Sequence, residues 1–396
     1  MQLLRTLAAS LLVTGSALCA EATSAPKALI APKVFIVSMF EPEAQAWWNI
    51  PEFDLLARNI TIPGLSPIFP DVHCTEDYEI CQLITGESEI NAAATVTSVA
   101  FSPLFDFTQT YWFVAGIAGV NPKKVTTGSA TFARYAVQVA LQYEIDIREL
   151  NSSYTTGYIP QGADYPGQYP TNIYGTEVFE VNAELRTIAA NFARKANLSD
   201  SATAQAYRPR YKTPSGKYKA ATLPPSIVEC DVATSDVYYS GNILGSAFEN
   251  TTKVLTNGTG DYCSSAQEDN ATLEVLLRAA AHKLTDFSRI IVMRTASDFD
   301  RPYPGASATY NLLYSEQGGF EPALKNLYVA GIKVVEGILD GWNATFAKGV
   351  KANNYIGDIF GTLGGTPDFG PGREQALIDG GAYKKRSIQN RLQRRG

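Results

Sequence analysis

The chain has 396 residues, of which 45% are hydrophobic and 11% aromatic, enough to form one large or two small globular domains. Its 33 basic and 39 acidic residues give a net charge of −6, a balance that argues against a nucleic-acid partner. Beyond the N-terminal segment, no stretch reaches the roughly 18 to 20 apolar residues needed to cross a bilayer. We therefore expect no membrane span.

Residues 1–22 have the pattern of a cleavable signal peptide. Arg5 supplies the positive charge, Leu7 to Leu18 the short apolar core, and small residues up to Ala22 the cleavage zone. This pattern predicts a protein that is secreted or associated with the cell surface. A set of seven Asn-x-Ser/Thr sequons agrees with that location and predicts a glycoprotein. The sequons begin at Asn59, Asn151, Asn197, Asn250, Asn257, Asn270 and Asn343.

After the signal peptide, four cysteines remain: Cys74, Cys81, Cys230 and Cys263. An even number of cysteines in an oxidising compartment predicts two disulfides, for which three connectivities exist. We favour Cys74–Cys81 because it closes a short loop, and this choice leaves Cys230–Cys263. A zinc site is the alternative, but the spacings are not those of zinc sites and the chain has two histidines. We expect neither a metal ion nor a cofactor.

Apolar runs and alternating patterns predict strands, whereas a 3.6-residue periodicity predicts helices. The predicted strands cover residues 34–39, 78–84 and 111–115, one or two segments of 129–146, then 226–233 and 289–295. The predicted helices cover residues 44–48, 88–102 and 177–196, a helix from 273 onward, and 319–346, the last with a break at Gly331 or Gly337 left open. A loop rich in tyrosine and proline, residues 151–175, is expected near the functional site.

Strands that alternate with helices predict βαβ units and an α/β three-layer sandwich. Its central sheet should be mixed and mostly parallel, with helices on both faces. The chain shows neither an internal repeat nor a linker near its middle, so we expect a single domain over residues 33–372. Residues 373–396 form a basic tail, for which we expect disorder.

The segment from residue 263 to 302 carries two groups of polar side chains next to apolar elements. Gln267-Glu268-Asp269 precedes a helix, and Ser297-Asp298 follows the apolar strand 289–295. Continuous apolar strands are typical of parallel sheets that are buried on both faces. Because open α/β sheets bind ligands beyond the carboxyl ends of their strands, these acidic groups are expected to converge on one crevice.

Several segments, in this order along the chain, resemble the purine nucleoside permease family of fungi and bacteria. They read VFIVSMFEPEAQAW, WFVAGIAGVNP, TFARYAVQVALQYEID, ECDVATSDVYYSGNILG, and AQEDNATL followed by RTASDFDRP. The resemblance covers about residues 33–372. The family is itself similar in outline to nucleoside phosphorylases and nucleosidases, which implies a phosphorylase-like fold and purine nucleosides as ligands.

The resemblance implies roles for the acidic groups of the 263–302 segment. Glu268, with Gln267 beside it, matches a glutamate that binds the ribose hydroxyls, a strong charge-assisted contact. Asp298, next to Ser297, matches an aspartate that faces the purine N7, where a carboxylic acid can protonate the leaving base. Asp300 is the fallback for this acid. Without the resemblance, helix capping is the better interpretation of Glu268.

The first strand leads into Glu41-Pro42-Glu43. At this place the resemblance implies either an arginine near phosphate, as in phosphorylases, or a glutamate that activates water, as in nucleosidases. Two carboxylates repel phosphate but suit a general base, and we prefer Glu43. The alternative is a helix start that is stabilised by acidic residues. Gly116 and Gly119 predict a turn whose N–H groups approach an anion or a ribose hydroxyl, and a ligand-free βα turn is the alternative. Ile117 replaces the hydroxyl residue common in phosphorylases.

The segment after strand 226–233 is rich in tyrosine. Tyr238 or Tyr239 is expected to stack on the base, with Asn242 and Ser297 as further substrate contacts, and a surface loop without a ligand is the alternative. Three functions remain open: an extracellular purine nucleosidase or phosphorylase, a nucleoside-binding protein that delivers its ligand to a carrier, and a structural glycoprotein. Hydrolysis is favoured over phosphorolysis. Phosphate as a second ligand and a homo-oligomer stay open.

Overall fold

The computed structural model describes residues 28–370. The predicted signal peptide and the basic tail from residue 373 lie outside the described residues, and the single domain over 33–372 stays a prediction. Across residues 28–370, none of the helices combines the length and apolar character needed to cross a membrane.

Within residues 28–370 most strands are short, and two strands have ten residues each, Tyr111–Val120 and Ile290–Phe299. In chain order the strands are β1 Val34–Ser38, β2 Arg58–Thr61, β3 Asp71–Cys74, β4 Ile80–Ile84, β5 Tyr111–Val120, β6 Ala130–Ala133, β7 Tyr135–Gln138, β8 Gln142–Glu144, β9 Tyr158–Pro160, β10 Val178–Glu180, β11 Ile227–Glu229, β12 Asp231–Thr234, β13 Tyr262–Ala266, β14 Ile290–Phe299 and β15 Gly357–Asp358.

The helices of the same region connect these strands and cover both faces of the sheet. They are α1 Glu41–Gln45, α2 Glu89–Ala100, α3 Ala183–Ala193, α4 Ala202–Tyr207, α5 Asn242–Leu255, α6 Asp269–Ala281, α7 Ala308–Leu313 and α8 Phe320–Asp340.

Among the described strands, thirteen form one mixed sheet, and β8 and β9 form a separate hairpin. The path of the sheet runs β15-β10-β7-β12-β13-β5-β1-β4-β3-β2, with β14 paired to β5 and β6, and β11 paired to β6. The central strands β4, β1, β5 and β14 pair in parallel, whereas β2, β3, β10 and β15 pair antiparallel towards the edges. The predicted mixed, mostly parallel sheet is confirmed.

The two faces of the sheet bury separate hydrophobic cores, so the protein has three layers. Strand β1 shows how: Phe35 and Val37 pack in a core with α2 and α6, and Val34 and Ile36 pack in a core with α3 and α8. Side chains alternate between the faces of a strand, and here both faces are apolar because helices cover both. The sheet of the predicted α/β sandwich is therefore flanked by helices, as expected.

Two expectations about strand ends are wrong, and both errors lie at the candidate site. Gly116 and Gly119 do not form a turn, because β5 continues through them to Val120 and pairs with β14 along its whole length. Strand β14 likewise continues to Phe299, which places Asp298 inside the strand. The pairing between β5 and β14 shifts register between Ala296 and Asp298. Such a bulge changes the direction in which a side chain points.

Other differences are boundaries set by tertiary contacts. Residues 129–146 contain three strands, and 226–233 contain two short ones. The predicted helix 177–196 begins at Ala183, because residues 178–180 pair with β7 and β15 and Asn182 accepts hydrogen bonds from the first amides of α3. Helix α8 is unbroken through Gly331 and Gly337 and ends at Asp340.

Both favoured disulfides form. Cys74–Cys81 joins β3 to β4 across a sequence separation of 7, and Cys230–Cys263 links the start of β12 to β13 across a separation of 33. Cys230 directly precedes β12 and Cys263 is the second residue of β13, so the second bridge joins the amino ends of these two strands. The segments that follow the carboxyl ends of the same strands contribute to the cavity described below.

Removing the disulfide that closes the longer loop, Cys230–Cys263, should destabilise the protein more than removing Cys74–Cys81. In the chain-entropy model, a closed loop of this length contributes about 3 to 4 kcal/mol to the free energy of unfolding, and the shorter loop about 1 kcal/mol less. We expect this order from denaturant unfolding of Cys230→Ser/Cys263→Ser beside Cys74→Ser/Cys81→Ser. An unchanged free energy of unfolding in the first double variant would contradict the expectation.

Candidate functional site

A cavity of about 600 Å³ opens at the carboxyl ends of the central strands. Its volume is in the range of pockets that bind small molecules. The predicted site residues that line it are Glu43, Gly119, Tyr238, Tyr239, Gln267, Glu268, Ser297, Asp298 and the fallback acid Asp300. Three separate segments therefore bring the three predicted acidic groups to one place. The lining contains no residue of the 151–175 loop, so its predicted proximity to the site stays a prediction.

Glu43 lies in α1, directly after β1, and its side chain is buried at the wall of the cavity. Its Oε2 accepts a hydrogen bond from the Met39 N–H and its Oε1 one from the Ile117 N–H, both at 2.7 Å. Burial raises the pKa of this carboxyl to about 8, although Arg294 and the two N–H groups favour the charged form. Glu43 can thus exchange a proton near neutral pH.

Arg294 is the residue of the site that the sequence analysis missed. Its side chain is 3% exposed, and its Nη2 lies 3.1 Å from Glu268 Oε2 and 2.8 Å from Asp269 Oδ2. Its Nη1 donates to the Ile117 carbonyl at 3.2 Å. A buried charge must be paired, so an arginine directly after the apolar run at the start of β14 was a usable signal. The neighbouring acidic pair at the start of α6 supplies the partners.

Gly116 and Gly119 matter because they have no side chain, although they do not form a turn. A Cβ atom at Gly116 would lie 2.5 Å from Arg294 Nη1 and 2.8 Å from Glu43 Oε1. A Cβ atom at Gly119 would lie 2.8 Å from the Ser265 hydroxyl. Gly116 lies behind the cavity wall and allows the guanidinium and the Glu43 carboxyl to approach each other.

Glu268 does not cap its own helix. It is the residue before α6, but its side chain makes no capping hydrogen bond there. Instead, Oε1 accepts a hydrogen bond from the Ser88 N–H at 3.0 Å, and Oε2 pairs with Arg294. The capping alternative is therefore wrong for the side chain. A carboxylate offers about four acceptor positions, so Glu268 can still accept hydroxyl donors from the cavity.

Asp298 lies at the bulge of β14 and points into the cavity. Burial raises the pKa of this carboxyl, whereas hydrogen bonds from Ser297 and Tyr238 lower it. The Ser297 hydroxyl donates to Oδ1 at 2.7 Å and the Tyr238 hydroxyl to Oδ2 at 3.3 Å. Asp300, the fallback, also lines the cavity, but Arg301 and the Tyr262 hydroxyl both donate to its carboxylate at distances near 2.6 Å. Asp298 is the freer acid.

The two predicted stacking tyrosines differ in position. Tyr239 is buried, with its hydroxyl 2.8 Å from that of Tyr262 and its ring against Phe248. Tyr238 is 62% exposed at the cavity. Asn242, at the first turn of α5, does not line the cavity, and its Oδ1 accepts a hydrogen bond from another tyrosine hydroxyl at 3.1 Å. Of the two predicted stacking tyrosines, Tyr238 is therefore the one whose side chain is exposed to a ligand; Phe320, 45% exposed, is a further aromatic residue of the lining.

A profile of the purine nucleoside permease family matches residues 31–351. A purine nucleoside permease of Candida albicans is 48% identical over 351 residues, which covers 87% of this chain and 84% of the relative. A probable purine nucleoside permease of Schizosaccharomyces pombe is 39% identical over 325 residues, which covers 80% of this chain and 92% of the relative.

Among solved structures, the chain is similar to the futalosine hydrolase of Helicobacter pylori, at 14% identity and a TM-score of 0.46, covering 78% of this chain and 97% of that one. It is also similar to a 5′-methylthioadenosine/S-adenosylhomocysteine nucleosidase of Neisseria meningitidis, at 13% identity and a TM-score of 0.45, covering 79% of this chain and all of that one.

The raised pKa of Glu43 predicts a pH dependence of stability. Its folded-state pKa of about 8 lies above the ordinary value of 4.5, so the folded protein holds this proton more tightly than the unfolded chain. The stabilisation is complete below 4.5 and is lost as the pH rises through 8. We expect the free energy of unfolding to fall between these pH values by at least ~1 kcal/mol more in the wild type than in Glu43→Gln.

Denaturant unfolding at several pH values measures this difference. Glu41→Gln is the matched control, because Glu41 lies in the same helix turn but its side chain is exposed. The control should keep the wild-type pH dependence. Identical pH dependences in the wild type and Glu43→Gln would show that Glu43 ionises normally.

Proposed function

This chain belongs to the purine nucleoside permease family, and we propose that its cavity binds a purine nucleoside and cleaves the N-glycosidic bond with water. The observation that supports this most is the meeting of Glu43, Glu268 and Asp298 in one cavity, each with different partners. Burial raises the pKa values of Glu43 and Asp298, and carboxyls perturbed in this way within a cavity are typical of acid–base sites.

In this proposal Glu268 binds the sugar. Its carboxylate is fixed from behind by Arg294 and by the Ser88 N–H, so its remaining acceptor positions face the cavity. Two neighbouring ribose hydroxyls can donate to one carboxylate, and such charge-assisted bonds are strong. The sugar then lies between Glu43 on one side and Asp298 on the other.

Asp298 acts as the general acid. Cleavage of the glycosidic bond moves the bonding electron pair onto the purine, and a proton from Asp298 to N7 neutralises the charge that develops there. Burial raises the pKa of Asp298, which favours the protonated form that this step requires. Ser297 and Tyr238 hold the carboxyl group in place through their hydroxyls.

Glu43 acts as the general base. A water molecule in the cavity loses a proton to Glu43 while its oxygen bonds to the anomeric carbon, and the products are free base and free sugar. A base is most effective when its pKa lies near the working pH, and the pKa of Glu43 is about 8. The N–H groups of Met39 and Ile117 orient its two oxygens.

The charges of the cavity favour water over phosphate as the nucleophile. Arg294 is the basic residue that the described chain contributes to the lining, and it is already paired with Glu268 and Asp269. The lining also contains the carboxyl groups of Glu87 and Glu316, which have no role in the proposed reaction. Carboxylates within a few ångströms repel a phosphate dianion by kcal/mol-scale energies in a partly buried site.

The second candidate function is nucleoside binding without cleavage, as one component of uptake. The family name favours it, and so does the engagement of both Glu43 oxygens by main-chain N–H groups. Such a component would use the same contacts of Glu268 and Tyr238 but would not need Asp298 as an acid.

We also propose that the protein acts outside the cell, at its surface or in the medium. The two disulfides support this location because they persist in oxidising compartments. Of the seven sequons, Asn270 is an unsuitable glycosylation site in the folded protein, because its side chain is buried and donates to the Thr176 carbonyl at 2.8 Å.

Asp298→Asn should keep the shape of the site and remove the acid. Release of free base from inosine or adenosine should fall by roughly 100-fold to 10,000-fold, the usual contribution of a general acid, while the affinity for nucleoside changes little. Chromatography of the released base and titration calorimetry of binding measure the two effects. Wild-type protein that binds nucleoside but releases no base would support the binding component instead.

Glu268→Gln and Glu43→Gln should separate the other two roles. The first should weaken nucleoside binding and spare binding of free purine, because its proposed partner is the sugar. The second should depress hydrolysis without abolishing binding. In the wild type, the rate should rise as the pH approaches 8, since the base must be ionised, and Glu43→Gln should lose this rise. Equal losses for nucleoside and free purine in Glu268→Gln would contradict the sugar contact.

A further inference from the structure

We propose that Asp236 and Gln267 are positioning residues that fix the loop carrying Tyr238 to the same helix end that holds Glu268. This inference rests on the proposed nucleoside site. The loop comprises residues 235–241, between β12 and α5. One structural element would then hold both Tyr238, which contacts the base, and Glu268, which binds the sugar.

The common anchor is the N-terminus of α2. Ser88, the residue before the helix, has φ +77°, an uncommon value for a residue other than glycine, and no side chain caps the helix locally. Two consecutive main-chain N–H groups point at carboxylates from other segments instead. The Ser88 N–H donates to Glu268 Oε1 at 3.0 Å, and the Glu89 N–H donates to Asp236 Oδ1 at 2.9 Å. Carboxylates are favoured at this end of a helix.

Gln267 joins the same three segments. Its Nε2 lies 3.1 Å from the Asp236 carbonyl and 3.4 Å from the Ser88 hydroxyl. The sequence analysis assigned Gln267 to substrate binding beside Glu268. Its side chain lines the cavity, and its amide donors are directed at the loop and at α2, so Gln267 connects the cavity wall to Asp236.

The tip of the loop depends on these contacts. The loop ends are held by the main chain, with Ser235 N bonded to the Ala266 carbonyl and Gly241 N bonded to the Asp300 carbonyl. Between them, the Tyr238 side chain is 62% exposed, and its hydroxyl reaches Asp298 at 3.3 Å. Asp236 lies two residues before Tyr238. Its hydrogen bonds therefore set how far the tyrosine ring stands above the cavity.

Asp236 should affect binding of the ligand and not the chemical step. Asp236 does not line the cavity in the described structure, so it meets neither the sugar nor the base. Losing its carboxylate frees the Tyr238 ring and leaves the Ser88 contact of Glu268 in place. We therefore expect weaker binding of the base, with little change in the rate at which the bound nucleoside is cleaved.

The experiment compares Asp236→Ala with Asp236→Asn, which keeps an oxygen acceptor for the Glu89 N–H. Asp54→Ala is the matched control. Asp54 does not line the cavity, and its carboxylate accepts a hydrogen bond from the Leu56 N–H at the start of the short 3-10 helix Leu55–Ala57. Asp236→Ala should raise KM and the Kd for free purine roughly threefold to tenfold, about the effect of one solvent-accessible hydrogen bond, with kcat within twofold. Asp236→Asn should recover most of the affinity, and Asp54→Ala should match the wild type.

Hydrogen exchange of the free protein provides a readout that needs no ligand. Amides of residues 236–238 and of Glu89 should exchange faster in Asp236→Ala than in the wild type and the control. Unchanged exchange, or unchanged purine affinity in Asp236→Ala, would overturn the positioning role even if the wild type cleaves nucleosides. A wild type that binds neither nucleoside nor purine would instead overturn the proposed function.

A double-variant cycle with Tyr238→Ala, which removes the ring, gives a second test. Because the proposed effect of Asp236 passes through the Tyr238 ring, the losses of purine affinity should be non-additive in Asp236→Ala/Tyr238→Ala. Additive losses would mean that Asp236 acts on binding by another route and would contradict the proposal.

Discussion

The buried guanidinium of Arg294 is the charge on which the arrangement of the cavity depends. An unpaired arginine at this depth would be strongly destabilising, because a desolvated charge needs partners. Its partners come from three places: Glu268 and Asp269 at the start of α6, the Ile117 carbonyl in β5, and Glu43 close by after β1. Satisfying one cation therefore draws together the segments that build the site.

This constraint explains why β5 contains a glycine at position 116. The guanidinium and the Glu43 carboxyl both occupy the space in which a Cβ atom of Gly116 would lie. A side chain there would force the ion cluster apart. The same strand continues past the glycines and pairs with β14, so the bulge that directs Asp298 into the cavity belongs to the same structural unit.

Much of the site could be predicted from the sequence because its carboxyls follow recognisable elements. Glu43 follows an apolar strand, and Glu268 precedes an amphipathic helix, so the topology of an α/β sheet brings them to one edge. Arg294 was missed because the apolar run beside it was treated as a purely hydrophobic strand. The glycines of β5 were misinterpreted because local turn propensity was weighed without the pairing to β14, a long-range interaction. Which of the two lining tyrosines is exposed depends on the packing of Tyr239 against Phe248, a long-range contact that no local sequence pattern contains.

We propose that water cleaves a purine nucleoside in the cavity built around Arg294. The most direct measurement is incubation of the purified protein with inosine or adenosine, with and without inorganic phosphate, followed by mass spectrometry of base and sugar products. We expect free base and free ribose to be released at the same rate with and without phosphate. A requirement for phosphate with ribose 1-phosphate as product, or nucleoside recovered intact from a protein that binds it, would contradict the claim.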